Sequence, residues 1–137
     1  YFKSRGAGFG RESRRRILLG AYVLSAGYYD AYYKKALDVR ALIKRDFFKL
    51  FSSSGISAIV TPTTISPAFK IGEKSNDPLS MYLEDIFTVT ANIVGIPALS
   101  VPSGFVKRGG VSLPLGFQIM ADHFREDVLF KIGKDVS

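Results

Sequence analysis

No cysteine occurs among the 137 residues. That excludes disulfides and thiolate metal ligands, and it leaves every compartment open, the reducing cytoplasm included. Histidine occurs once, at position 123, so a Ser–His–Asp or Cys–His site would have to be built on that imidazole. Its setting in ADHFRED, just ahead of a helical pattern, favours a surface loop or cap instead. No cluster of His, Asp and Glu has the spacing of a metal site. No apolar run reaches the roughly 18–20 residues of a membrane-spanning helix, and no secretory signal is visible at Tyr1. The glycines of GAGFG at 6–10 lack the spacing of a dinucleotide fingerprint or a phosphate loop. No nucleophile–base pair is legible.

What is present is a globular balance. Apolar residues make up 47% and charged residues 23%, enough for one modest domain with a core and too apolar for disorder. Lys and Arg number 19 against 12 acids, a net charge of +7. Much of the excess lies before residue 50, in Arg11, Arg14, Arg15 and Arg16 and again from Lys34 to Lys49. Such a bias is compatible with nucleic acid nearby, and equally with solvated helix faces. Both ends read as cut, so the chain is expected to be a segment of a larger protein: YFKSRGAGFG reads as a Gly-rich loop, and the closing segment stops without a terminator.

The hydrophobic pattern predicts helices over 11–26 and about 28–51, interrupted at Gly27. The second should bury Ala31, Ala36, Val39, Ile43 and Phe47, and SSSG at 52–55 should end it. ISAIVTPTT predicts a strand over 57–61. A loop with turn chemistry at Gly72 and Asn-Asp-Pro should come next. Ser80 is placed to cap a helix from Met81 to about Val94, with Glu84 near the capping-box position and Gly95 and Pro97 ending it. Strands are expected over 98–102 and 115–120, with VKRGGVSLP as an exposed turn between them. A closing helix should bury Val128, Leu129, Ile132 and Val136. Strands alternating with helices indicate an α/β class.

Two charges stand out as a binding pair. Arg16 directly precedes the apolar ILLG and is the member of the arginine triplet best placed to project toward a cleft. A guanidinium offers a planar fork that matches a carboxylate. Asp85 opens DIFTVTANIVGIPALSVPSGF, twenty residues without another charge, and offers an acceptor for an ammonium. Facing one cleft, the two would suit a zwitterionic amino acid. Taken by themselves they read as well as structural or surface charges.

The stretches GRESRRRILLGAYVLSAGYYDAYYKKALDVRALIKRDF, TPTTISPAFKIGEKSNDPLSMYLEDIFTVTANIVGIPALSVPSGF and LPLGFQIMADHF cover nearly the whole chain. They resemble the amidase signature family, and within it the C-terminal part of the A subunits of aspartyl/glutamyl-tRNA amidotransferases. GYYDAYYKKA, PAFKIGEK and DPLSMYL are more specific to that branch than to amidases in general. The resemblance implies an α/β amidase-signature fold, with residues 1–137 as the C-terminal segment of a single domain and helices packed on a few strands of a central sheet.

It also implies amide hydrolysis by a Ser–cis-Ser–Lys triad lying upstream in the family, with ammonia released from glutamine. The implied partners are the B and C subunits of the complex. The first uses ATP and magnesium to activate and amidate mischarged Glu-tRNA(Gln) or Asp-tRNA(Asn), and the second, a small protein, holds the pair together. Nothing here matches the triad, so the segment alone is expected to be inactive and to hold no cofactor. By alignment of RRILLG, Arg16 matches the arginine that grips the glutamine α-carboxylate. By alignment of MYLEDI, Asp85 matches the aspartate that holds the α-amino group. Thr90, Ser103, Ile65 and Ala121 depart from the usual Pro, Cys, Pro and Gly, and none removes a charge from the implied pocket. The alternatives are an amidase-signature hydrolase of a non-amino-acid amide, and a basic tRNA-binding module on the first two helices.

Overall fold

The computed structural model describes residues 2–25, 27–74 and 77–136. Ala26, the expected end of the first long helix, and Asn76 of the expected turn lie outside the described residues. The chain divides into two compact units, Tyr1–Leu42 and Ile43–Ser137.

In the first unit, the opening segment expected as a loop forms a short helix, α1 (Phe2–Gly8), and α2 (Arg11–Val23) comes after it. Gly27, at φ +86°, supplies a left-handed turn at the end of α2. The next residues wind as a π-helical turn over Tyr29–Lys34 before α3 (Lys35–Ser53) begins. Tyrosines line this region: the rings of Tyr22 and Tyr28 lie 4.3 Å apart, and those of Tyr29 and Tyr33 lie 5.2 Å apart. No residue of α1, α2 or the π-helical turn is buried. Ala31, Ala36 and Val39, expected on a buried face, are exposed.

The second unit is built on a three-stranded sheet in the order β1 (Ala58–Pro62), β3 (Val111–Ala121), β2 (Ala98–Arg108), antiparallel throughout. Helices cover both faces of it, the α/β class that the alternation of elements predicts. Side chains on a strand alternate between faces, and β3 shows both. Phe117, Ile119 and Ala121 join Val101 and Leu129 under α6 (Glu126–Val136). Met120, on the opposite face, packs with Ala91, Val94 and Ile96, and with Ile43, Phe47 and Phe51 from the later part of α3. Burial on both faces explains why β3 reads as a nearly continuous apolar run rather than an alternating one.

Helix α6 approaches the sheet closely because residue 133 is glycine: a Cβ there would stand 2.8 Å from Leu99 Cδ2 and 3.3 Å from Val101 Cγ1. Gly133 thus takes the inward position at the end of the stripe, and Val136 is exposed.

Two further expectations are corrected. VKRGGVSLP is largely exposed, but its turn is confined to the two glycines: β2 and β3 stay paired to Arg108 and Val111. Gly109 and Gly110, at φ +57° and +81°, close them as a two-residue hairpin. The helix expected over 81–94 is two helices, α4 (Pro78–Leu83) and α5 (Thr88–Val94). Among the described residues, no helix is long and apolar enough to cross a membrane.

Candidate functional site

Helix α4 starts where the sequence supplies an acceptor and a pre-set φ. Asp77 Oδ1 accepts from the backbone N–H groups of Leu79 (3.1 Å) and Ser80 (3.2 Å), and Pro78 stands at the first helical position. The cap is therefore Asp77 and not Ser80, whose hydroxyl donates to the Asp77 carboxylate instead. That hydroxyl bond, with the two backbone donors, holds the Asp77 carboxyl below the usual carboxylate range.

After Leu83 the backbone tightens. The N–H groups of Glu84, Asp85 and Ile86 donate to carbonyls three residues back, those of Met81, Tyr82 and Leu83, at 3.3, 3.2 and 3.2 Å. This is 3₁₀ geometry, a form that chains use in short connectors and hinges. The α pattern returns with Val89 N–H donating to the Asp85 carbonyl at 2.8 Å. Residues 84–87 thus form a bend between two helices.

The bend presents Asp85 outward and Glu84 inward. Asp85 is exposed, whereas Glu84 retains only 9% of its accessible surface. Glu84 Oε1 accepts from Ser66 Oγ at 2.8 Å and pairs with the Lys74 ammonium. The Lys74 bond, then that from Ser66, keeps the Glu84 carboxyl below its ordinary range against the opposing effect of burial. Lys74 Nζ also lies 4.8 Å from the centre of the Phe69 ring. At the far end of the bend, Gln118 Nε2 lies 3.1 Å from the Phe87 carbonyl and 3.2 Å from Thr61 Oγ1. Glu84 therefore has no capping-box role. Its burial, with Gln118 behind it, is what divides the expected single helix.

The loop between β1 and α4 is tied down at further points. Thr63 Oγ1 and Ser100 Oγ are hydrogen-bonded at 2.8 Å, over Gly116. Glu73 accepts from the Lys70 backbone N–H at 2.7 Å and pairs with Arg108 at 3.0 Å, which lowers its pKa.

Arg16 lies on α2 in the first unit. Its Nε donates to Glu12 Oε1 at 3.0 Å, one turn back, and Glu12 Oε2 also pairs with Arg15 at 2.6 Å. Arg14 donates to the Gly6 carbonyl. The triplet of arginines is thus engaged by its own unit, and its members do not form one uniform cationic face. His123 is exposed in the loop before α6, its backbone N–H donating to Asp122 Oδ1 at 2.8 Å, as expected of a loop position. Among the described residues, no group of three or more His, Cys, Asp and Glu could hold a metal ion.

Of the two residues singled out from sequence, Asp85 therefore sits on an anchored bend in one unit and Arg16 on a solvated helix in the other. Sequence reasoning misses Glu84, Lys74, Ser66 and Gln118. Asp-Pro ahead of an apolar helix is the one local signal in this region, and it marks the start of α4 rather than the bend.

The family model described as Amidase matches residues 1–130. The chain is 61% identical over 133 residues to the A subunit, form 1, of glutamyl-tRNA(Gln) amidotransferase from Clostridium acetobutylicum, covering 97% of this chain and 26% of the relative. It is 57% identical over 136 residues to the glutamyl-tRNA(Gln) amidotransferase A subunit of Koribacter versatilis, covering 99% of this chain and 27% of that relative. The equivalent protein of Acidobacterium capsulatum, under the same name, is 57% identical, with 99% of this chain and 28% of the relative covered. The chain spans about a quarter of the length of these curated relatives.

Proposed function

The chain belongs to the amidase family, and from that premise we propose that it is part of the A subunit of a tRNA-dependent amidotransferase. In this reading the whole protein hydrolyses glutamine, and residues 1–137 are the C-terminal segment of its amidase-signature domain. The observation that carries it is the identity of 57–61% along nearly the whole chain to proteins of that name.

Free glutamine is distinguished from most amides by two end charges. A guanidinium for the α-carboxylate and a carboxylate for the α-ammonium would select it and fix its side-chain amide for attack. Arg16 takes the first role and Asp85 the second. Arg16 would exchange its one-turn pair with Glu12 for the substrate carboxylate. That pair is exposed, and exposed pairs are worth at most about 1 kcal/mol. The hydrolytic Ser–Ser–Lys triad belongs to another part of the protein. The ammonia passes to the B subunit, which uses ATP and magnesium on mischarged Glu-tRNA(Gln) or Asp-tRNA(Asn), with the C subunit joining the two in the cytoplasm.

The test separates the two nitrogen sources. In the full-length protein, in complex with its partners, Asp85→Asn or Arg16→Ala should lower glutamine-dependent amidation by about tenfold or more. Amidation from added ammonium should stay near that of the unaltered complex. Equal loss of both activities would show that the two residues serve folding or assembly. Unchanged glutamine use would show that Arg16 and Asp85 do not grip the substrate.

A further inference from the structure

The exposed Asp85 carboxylate stands on a bend whose two ends are fixed from inside the second unit. On one side is Glu84, 9% exposed, held by Lys74 and by Ser66 Oγ at 2.8 Å. On the other is the Phe87 carbonyl, two residues beyond Asp85, which accepts from Gln118 Nε2 at 3.1 Å. Gln118 is 4% exposed on the central strand, and its other contact, Thr61 Oγ1 at 3.2 Å, ties it to β1. The first anchor joins the bend to the loop that precedes α4, and the second joins it to the sheet.

We propose that Glu84 and Gln118 are positioning residues, which fix the 84–87 bend so that the Asp85 carboxylate meets the α-ammonium of glutamine. The inference rests on the reading of Asp85 given above. Its physical content is preorganisation. A carboxylate on a loose turn must be ordered when the ligand binds, and that cost is subtracted from affinity. A bend pinned at both ends has met the cost on folding. A bend that only had to pack could be held by apolar side chains, since replacing a buried polar pair by well-packed hydrophobes is often neutral or stabilising. Two buried polar anchors flanking one exposed acid instead fix direction, because hydrogen bonds constrain angle as well as distance.

The experiment uses the full-length protein in complex with its partners. It reads ammonia release from glutamine and from 5-amino-5-oxopentanoate, which is glutamine without its α-amino group. The readout is the ratio of kcat/KM for the two substrates. Both are measured on one preparation, so a loss of folded protein cancels from the ratio. Glu84→Ala and Gln118→Ala should each lower the ratio by about fivefold or more, chiefly through KM for glutamine, with Glu84→Gln restoring it to within about twofold. If the alanine variants lower both substrates alike while Asp85→Asn collapses the ratio, Glu84 and Gln118 serve packing alone and the positioning role is overturned. If Asp85→Asn itself leaves the ratio unchanged, the reading of Asp85 fails, and the positioning role fails with it. Should either alanine variant not fold, Ser66→Ala and Thr61→Val each remove one bond from the same anchors. A lowered ratio in these supports the proposal, and an unchanged one overturns it.

Discussion

Glu84 shows how one residue can be a weak local signal and a strong structural one. From sequence it is one of two adjacent acids, and its neighbour carries the resemblance. In the fold its carboxylate is nearly covered and takes bonds from Lys74 and Ser66. Its pKa lies below the ordinary value, chiefly because of the Lys74 bond. A depressed carboxyl stabilises the folded state fully above the unfolded pKa, about 4.3 for glutamate, and that contribution disappears as pH falls through the folded value. Glu84→Gln should therefore destabilise by about 1–3 kcal/mol near neutral pH, because it leaves the Lys74 charge poorly paired. The gap between the variant and the parent should close progressively below about pH 4.5. Urea unfolding midpoints across about pH 3–7 measure it, and a gap constant down to the acid end of that range would rule out the ionised pair as its source. Asp77 and Asp127 are also depressed, so the parent's own acid sensitivity sums several groups, and only the difference between the two proteins isolates Glu84.

At the scale of elements, legibility depends on whether the cause is local. The end of α5 is an example: Gly95 takes φ +82° and stops the helix where a Gly with a Pro shortly beyond it is expected to stop one. All three strands lie where the sequence pattern puts them, because each carries an apolar run of its own. The break between α4 and α5 is not legible. Residues 81–94 keep apolar side chains at helical spacing, and the forces that interrupt them come from partners 10, 18 and 31 positions away. The hairpin extension to Arg108 escapes notice although its Gly-Gly turn is a local signal, because the exposed strands around it show no clean alternation. Of the candidate site, Arg16 and Asp85 are legible as charges beside apolar runs, and the resemblance gives each its role. The anchors beneath Asp85 could come only from the fold. The Asp77 cap gives this scale its own prediction. Asp77→Ala removes the acceptor for two backbone donors and should loosen the start of α4. The loss should appear as faster amide exchange at Leu79 and Ser80, with β3 unaffected. Equal acceleration throughout the sheet would mean that Asp77 supports more than its own helix.

For the molecule as a whole, the two units differ in what holds them. The second has a sheet covered on both faces, with Ile119, Ala121 and Val94 at 0%, 0% and 1% exposure. The first has α2 at 13 residues with Ile17, Leu18 and Leu19 all more than half exposed, and no buried residue in α1, α2 or the π-helical turn. A helix below about 12–15 residues is marginal in water without tertiary packing, so α2 draws little stability from its own propensity. The ion pairs from Glu12 to Arg15 and Arg16 are exposed one-turn pairs, each worth roughly 0.3–0.5 kcal/mol and screened by salt. Hydrogen exchange on the 137-residue chain should therefore be strongly divided. Backbone amides of residues 119–121 should exchange slowest, near the limit set by global unfolding. Those of α2 should exchange at least about 100-fold faster, and faster still in high salt, because their opening requires no core to be broken. Equal protection of α2 and β3 would mean that α2 has burial of its own, and the division of stability between the units would not hold.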